Sequence, residues 1–85
     1  PMHPDALMQM AELAQEGGNG LQARAFLERY NAVAPVTAAS LWLGRNIELG
    51  LGDAAQAARY SQRLKNEFPT SEEASRLFEA ERAKP

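Results

Sequence analysis

Two turns in this chain are punctuated alike, and the distance between them is fixed. Gly18-Asn19 returns as Gly52-Asp53, Ala23 as Ala57 and Pro35 as Pro69, each pair 34 positions apart. Phe26 is answered by Tyr60 and Tyr30 by Leu64 at the same spacing. A small-residue turn, a small residue in the next helix and a closing proline at this period describe a helix-turn-helix repeat. Such units cannot bury their apolar stripes alone. They stack side by side and create an extended concave surface, which points to a chain that binds rather than converts.

The 3/4 spacing of apolar residues predicts five helices. The first runs from Asp5 to Glu16, with Leu7, Met10, Ala11 and Ala14 on one stripe, and stops at Gly17-Gly18-Asn19-Gly20. The second runs from about Leu21 to Val33 with Ala23, Phe26, Leu27 and Tyr30 inside, and Pro35 ends it. The third spans about Val36 to Leu49, with Ser40, Leu43, Gly44 and Ile47 on its stripe, and Gly50-Leu51-Gly52 breaks it. Asp53 caps a fourth helix to about Glu67, with Ala57, Tyr60, Ser61 and Leu64 inside, and Pro69 closes the unit. Thr70 and Glu73 have capping-box spacing, with Ser71 the alternative cap, for a last helix ending near Ala83. Within it, Glu72 and Arg76 form an i,i+4 pair. Gly44 lies 33 rather than 34 positions after Ala11, which predicts one extra residue within Gly50-Leu51-Gly52. The expected fold is all-α: a single-domain α-solenoid of two units, residues 4–35 and 36–69, closed by a helix over residues 71–83.

Eighty-five residues make one domain at most, burying roughly 60–65% of the unfolded surface. A net charge of −2 gives no electrostatic footprint for nucleic acid. The absence of cysteine excludes disulfides, thiolate nucleophiles and Cys-ligated metals, and a lone His3 cannot make a zinc site. No apolar run approaches the ~20 residues of a membrane span, so the chain is not expected to be membrane-embedded. Pro1-Met2-His3-Pro4 has neither the basic start nor the apolar core of a signal peptide, and Met in second place suggests an excised fragment. Glu72 and Glu73 are adjacent and point to different sides, so they cannot flank one bond. Gly17, Gly18 and Gly20 follow no strand and make no phosphate loop. Arg59, Arg63 and Lys65 read as a solvated convex face. No catalytic constellation and no cofactor site emerges.

Small residues at Ala11 with Ala23, and at Gly44 with Ala57, are expected to let paired helices approach closely. Trp42 starts another stripe with Asn46 and Leu49, and is expected to pack on the preceding unit near Leu27, Tyr30 or Ala34; the alternative is an exposed aromatic anchor for a partner. The first helix of each unit should line the concave face. Its outward stripe is Met8, Glu12 and Gln15 in unit one, and Leu41, Arg45 and Glu48 in unit two. These six are the candidate groove for an extended peptide or a partner helix. Glu79, Glu81, Arg82 and Lys84 make the C-terminal end polar, whereas Ala6 and Leu13 should face a preceding unit. That apolar face is expected to be sticky or to pair with a second copy as a homodimer.

The pattern resembles the tetratricopeptide repeat. In its units, small residues stand at the places of Ala11, Ala23 and Ala57, and proline at those of Pro35 and Pro69. Tyr30 and Leu64 depart from the family's usual alanine. The runs Gln22–Tyr30, Leu41–Arg45 and Leu64–Pro69 also resemble a narrower group, the type IV pilus biogenesis/stability proteins, which are pilotin lipoproteins. That resemblance implies a module at the periplasmic face of the outer membrane that helps a secretin assemble. The alternative is a generic adaptor or scaffold in a cytoplasmic complex. Adaptors that clamp a C-terminal carboxylate favour clustered Lys and Asn, and only Arg45 and Asn46 come near that here.

Overall fold

A helix can begin where a side chain takes up its first free amides, and the polar residues of this chain decide four of its five starts. The computed structural model describes residues 3–83. The helices are α1 (Pro4–Glu16), α2 (Gly20–Val33), α3 (Ala38–Leu51), α4 (Ala54–Glu67) and α5 (Glu72–Arg82), and no strand occurs among the described residues. His3 accepts from the Asp5 amide, Asp53 from Gln56 and Ser71 from Ala74. At α3 the cap is reciprocal. Thr37 Oγ1 accepts from the Ser40 amide at 3.0 Å, and Ser40 Oγ accepts from the Thr37 amide at 2.8 Å. This box starts α3 two residues later than the apolar pattern alone suggests. Ser71, rather than the Thr70–Glu73 pair, caps α5. Pro1, Met2 and Lys84, which enter the readings of the two ends, lie outside the described residues.

The two unit turns are the same structure. Gly18 and Gly52 both adopt the left-handed conformation, at φ +80° and +82°, where a side chain would strain the backbone. Behind each glycine the next amide reaches back five residues, Asn19 to the Ala14 carbonyl at 2.8 Å and Asp53 to the Glu48 carbonyl at 2.9 Å. This closure satisfies carbonyls that the helix end leaves free. Consequently α3 does not break at Gly50 but continues to Leu51 and stops at Gly52.

Burial follows the same period. Leu7 and Leu41, Ala14 and Glu48, Ala23 and Ala57, Leu27 and Ser61, and Tyr30 and Leu64 are all buried, each pair 34 apart. No residue is inserted, and the expectation of an extra one within Gly50-Leu51-Gly52 is overturned. Ala11 has Arg45 as its counterpart, and Gly44 has Met10. Gly44 is small for a local reason: a Cβ there would lie 2.5 Å from the Tyr60 ring. The small residue admits an aromatic from α4.

Two apolar clusters result. One joins Leu7, Ala11, Ala14, Ala23, Leu27 and Tyr30 of the first unit to Ile47 of α3. The other joins Leu41 and Leu64 to Ala74 and Leu77 of α5. Truncating any of the buried leucines costs about 2–5 kcal/mol, because transfer and cavity terms add. Tyr30 keeps its hydroxyl satisfied by donating to the Pro35 carbonyl at 3.3 Å. Among the described residues no buried side-chain polar atom lacks a partner.

Ile47, with half-buried Leu43 and Leu51 beside it, is the apolar contact of α3 with the first unit. Trp42 is not. It packs with the cluster of Leu41, Leu64, Ala74 and Leu77, on the side of α5, so its expected contact with Leu27, Tyr30 or Ala34 is corrected. One residue of difference, about 100° around the helix, decides this: a stripe through Leu43 and Ile47 faces back along the stack, and Trp42 faces forward.

Candidate partner-binding face

The odd-numbered helices form one side of the stack. α1 runs close to α3 and α3 to α5, whereas the backbones of α2 and α4 do not approach each other as closely. Closer spacing on one side than on the other bends the row, so the concave side is that of α1, α3 and α5. Four residues of α1 and α3 knit it. Gln15 donates from Nε2 to the Asn46 carbonyl at 3.3 Å, which ties α1 to α3. Arg45 donates to the Asn46 side chain at 2.8 Å and lays its guanidinium 5.0 Å from the centre of the Trp42 ring. Such a cation–aromatic contact holds a long side chain flat on the surface rather than free in solvent.

Between α3 and α5 runs an open cleft of about 520 Å³, walled by Trp42, Arg45, Glu72, Ser75, Arg76, Glu79 and Ala80. Its polar rim is largely spoken for. Arg76 pairs with Glu72 at 2.6 Å and Arg82 with Glu79 at 3.4 Å, which leaves the half-buried indole as its largest apolar surface. A second, smaller cleft lies on the other side of Arg45, against Leu49, Ser61, Lys65 and Glu81. There a 2.8 Å Lys65–Glu81 pair bridges α4 and α5. Arg45 therefore stands on the ridge between the two.

Of the six residues expected to line the groove, four lie at the surface of the odd helices. Glu12 is exposed, and Met8, Gln15 and Arg45 are half-buried. Met8 also packs on the first apolar cluster. The other two are corrected. Leu41 is fully buried among Leu64, Ala74 and Leu77, because it faces the following unit and not the groove. Glu48 is 3% exposed and is taken by Arg24 of α2, whose Nε and Nη2 donate to its two carboxylate oxygens at 3.0 and 2.5 Å. The hydrogen bonds to Glu48, set against partial desolvation, hold the Arg24 guanidinium above its ordinary value. Asp53 adds a third, longer contact at 3.9 Å. This fork is a tie between units and offers nothing to a partner.

Sequence reasoning preferred a structural stripe for Trp42 over a partner anchor, and the half-buried ring lines the cleft. The signal was its position three residues before Arg45, on a neighbouring part of the same turn. Arg59 and Arg63 sit on α4, where Arg59 bonds Gln56 and Arg63 bonds Glu67. Among the described residues no group of three or more metal-ligating side chains gathers, and no helix is long and apolar enough to cross a membrane.

Comparison with known proteins agrees with this architecture over one unit. Residues 38–71 match the family model of the tetratricopeptide repeat, from the first residue of α3 to the cap of α5. The match and the five-helix stack support a tetratricopeptide-repeat protein, and such repeats suggest protein–protein interaction. No match is found among curated proteins, and none among solved structures.

Proposed function

We propose that the chain is a non-catalytic protein-interaction module that holds a peptide or helix on the face of α1, α3 and α5. Trp42 is the apolar anchor and Arg45 its charged neighbour, with Met8, Glu12 and Gln15 extending the surface along α1. The observation that carries this reading is the cleft beside Trp42. An aromatic ring is left half-covered there while the charges around it are already paired. Aromatic and arginine side chains of this kind supply most of the energy in many interfaces. Photo-crosslinking tests it. A crosslinking residue in place of Ser75, inside the cleft, is expected to trap a protein partner, and one in place of Arg59 on α4 is not. Equal trapping from both sites would dismiss the concave face.

The narrower reading, a piece of a type IV pilus pilotin at the periplasmic face of the outer membrane, rests on the residue runs quoted above. It names an outer-membrane secretin as partner. Purified chain titrated with purified secretin would show saturable binding weakened by Arg45→Glu, and no binding would remove the secretin. The reading of a cytoplasmic adaptor keeps the same face and differs only in what is trapped.

A further inference from the structure

Two clefts meet at Arg45, and the charges that line them cancel except for its own. On the α5 side, Glu72 pairs with Arg76 at 2.6 Å and Glu79 with Arg82 at 3.4 Å. On the α4 side, Lys65 pairs with Glu81 at 2.8 Å. Arg45 lines both clefts, and among the described residues its contacts are neutral: the Asn46 side-chain oxygen at 2.8 Å and the Trp42 ring at 5.0 Å. Arg29, stacked on Phe26, and Arg59, bonded to Gln56, also lack a carboxylate, but neither lines these clefts. Stacking on a ring occupies the face of a guanidinium and leaves the N–H donors of its edge for other groups. It also restrains a long side chain in advance, so less freedom is lost when a ligand meets it.

We propose that the occupant of this face is a partner helix that presents an apolar side chain to Trp42 and, one turn along, an aspartate or glutamate to the edge of Arg45. This rests on the reading of α1, α3 and α5 as the partner-binding face, and names what that face recognises. Charge selects the carboxylate: it matches the donor fork of arginine, and it is the one group that the two clefts lack. Place in the fold selects a side chain over a chain end. Arg45 stands on a ridge with a cleft on either side, so a ligand that fills both runs past it toward Leu49 and Ser61. A terminal carboxylate would stop at the ridge and leave the second cleft empty. Spacing selects a helix. Trp42 and Arg45 are three residues apart on α3, about 4.5 Å along its axis. Residues three or four apart on a ligand helix are about 4.5–6 Å apart along theirs, whereas same-face neighbours on a strand are about 6.8 Å apart.

Trp42 is the only tryptophan of the chain, so its emission reports on the cleft directly. The probes are three tryptophan-free helical peptides with blocked ends. Each carries a leucine stripe and, four residues beyond one leucine, a glutamate, a glutamine or a lysine. Titrated into the 85-residue chain, the glutamate peptide is expected to shift the emission saturably and to bind about fivefold or more tighter than the glutamine peptide, with the lysine peptide weakest. Arg45→Glu is expected to reverse the order and make the lysine peptide the tightest, with the helices retained in circular dichroism. Equal binding of the three peptides would overturn the inference, and so would an order that Arg45→Glu leaves unchanged. A chain that responds to none of them would overturn it as well. The face is judged separately, by a crosslinking residue in place of Ser75: three peptides trapped there equally would keep the face and remove the carboxylate.

Discussion

The chain contains two junctions between a second helix and the first helix of the next unit, and they are made differently. At α2–α3 the apolar contact is Ile47 set into the core of the first unit, and the polar contact is the Arg24–Glu48 fork, with the carboxylate almost out of solvent. At α4–α5 the apolar contact is Ala74 and Leu77 against Leu64, with Leu41 of α3 in the same cluster, and the polar contact is Lys65–Glu81, with both partners partly in water. Each is a glutamate reaching back to a cation on the preceding helix. What differs is solvent. A fork held away from water penalises any misalignment, because an unmatched buried charge is costly, whereas a hydrated pair forgives it. The first junction therefore fixes register, and the second mainly closes the end of the stack.

The largest effect expected from this contrast is apolar. Ile47→Ala should lower unfolding free energy by about 2–5 kcal/mol, whereas Leu13→Ala, at the equivalent place on the open face, should stay within about 0.5 kcal/mol. Equal losses in urea unfolding would mean that the two faces are not equivalent in the way the period implies. Next is the close approach inside the second unit. Gly44→Ala should cost about 1–3 kcal/mol by pressing on the Tyr60 ring, and much of that loss should vanish when Tyr60→Leu is present. Its counterpart, Met10→Ala, should be close to neutral, since Met10 is 37% exposed.

The polar ties come next. Lys65→Ala should cost about 0–1 kcal/mol and lose its effect in high salt. Arg24→Ala should cost more than this and keep its effect in salt, because Glu48 stays buried. The smallest effect is alkaline. Burial, foremost, holds the Tyr60 phenol above its ordinary 10.0, so the folded chain keeps that proton longer than the unfolded one. Stability from this source is complete below the ordinary value and drains as pH rises through the folded one. Tyr60→Phe should flatten that alkaline decline in unfolding experiments, and an unaltered slope would discharge Tyr60.

Much of the fold could be read from residue order because it is local. Gly18 and Gly52, Asp53 and the closing prolines act within a few positions of themselves, and the period makes each visible twice. Ser71 was legible only as an alternative, since Thr70 competes for the same role one residue earlier. The start of α3 escaped because its cap is a Thr37–Ser40 box in which serine replaces the usual acid or amide. The slip assigned to Gly44 came from equating two small residues that serve different neighbours, Ala11 within a tight core and Gly44 beneath Tyr60.

The face of α1, α3 and α5 was less legible than the helices that carry it. Leu41, Arg45 and Glu48 share a stripe, but neighbours decide which of them reaches solvent. Leu41 is claimed by α5, and Glu48 by an arginine 24 residues away. Only Arg45 of that stripe stays on the surface, beside a Trp42 whose direction depends on which way the stack turns. None of these partners is announced by spacing along the chain.

The register of the stack is tested most directly by exchanging the charges of its buried fork. Equilibrium unfolding of Arg24→Glu, Glu48→Arg and the double exchange should show two destabilised single variants and a double variant that regains a substantial part of the loss. A double variant no more stable than the sum of the two single losses allows would mean that α2 and α3 do not meet through this pair.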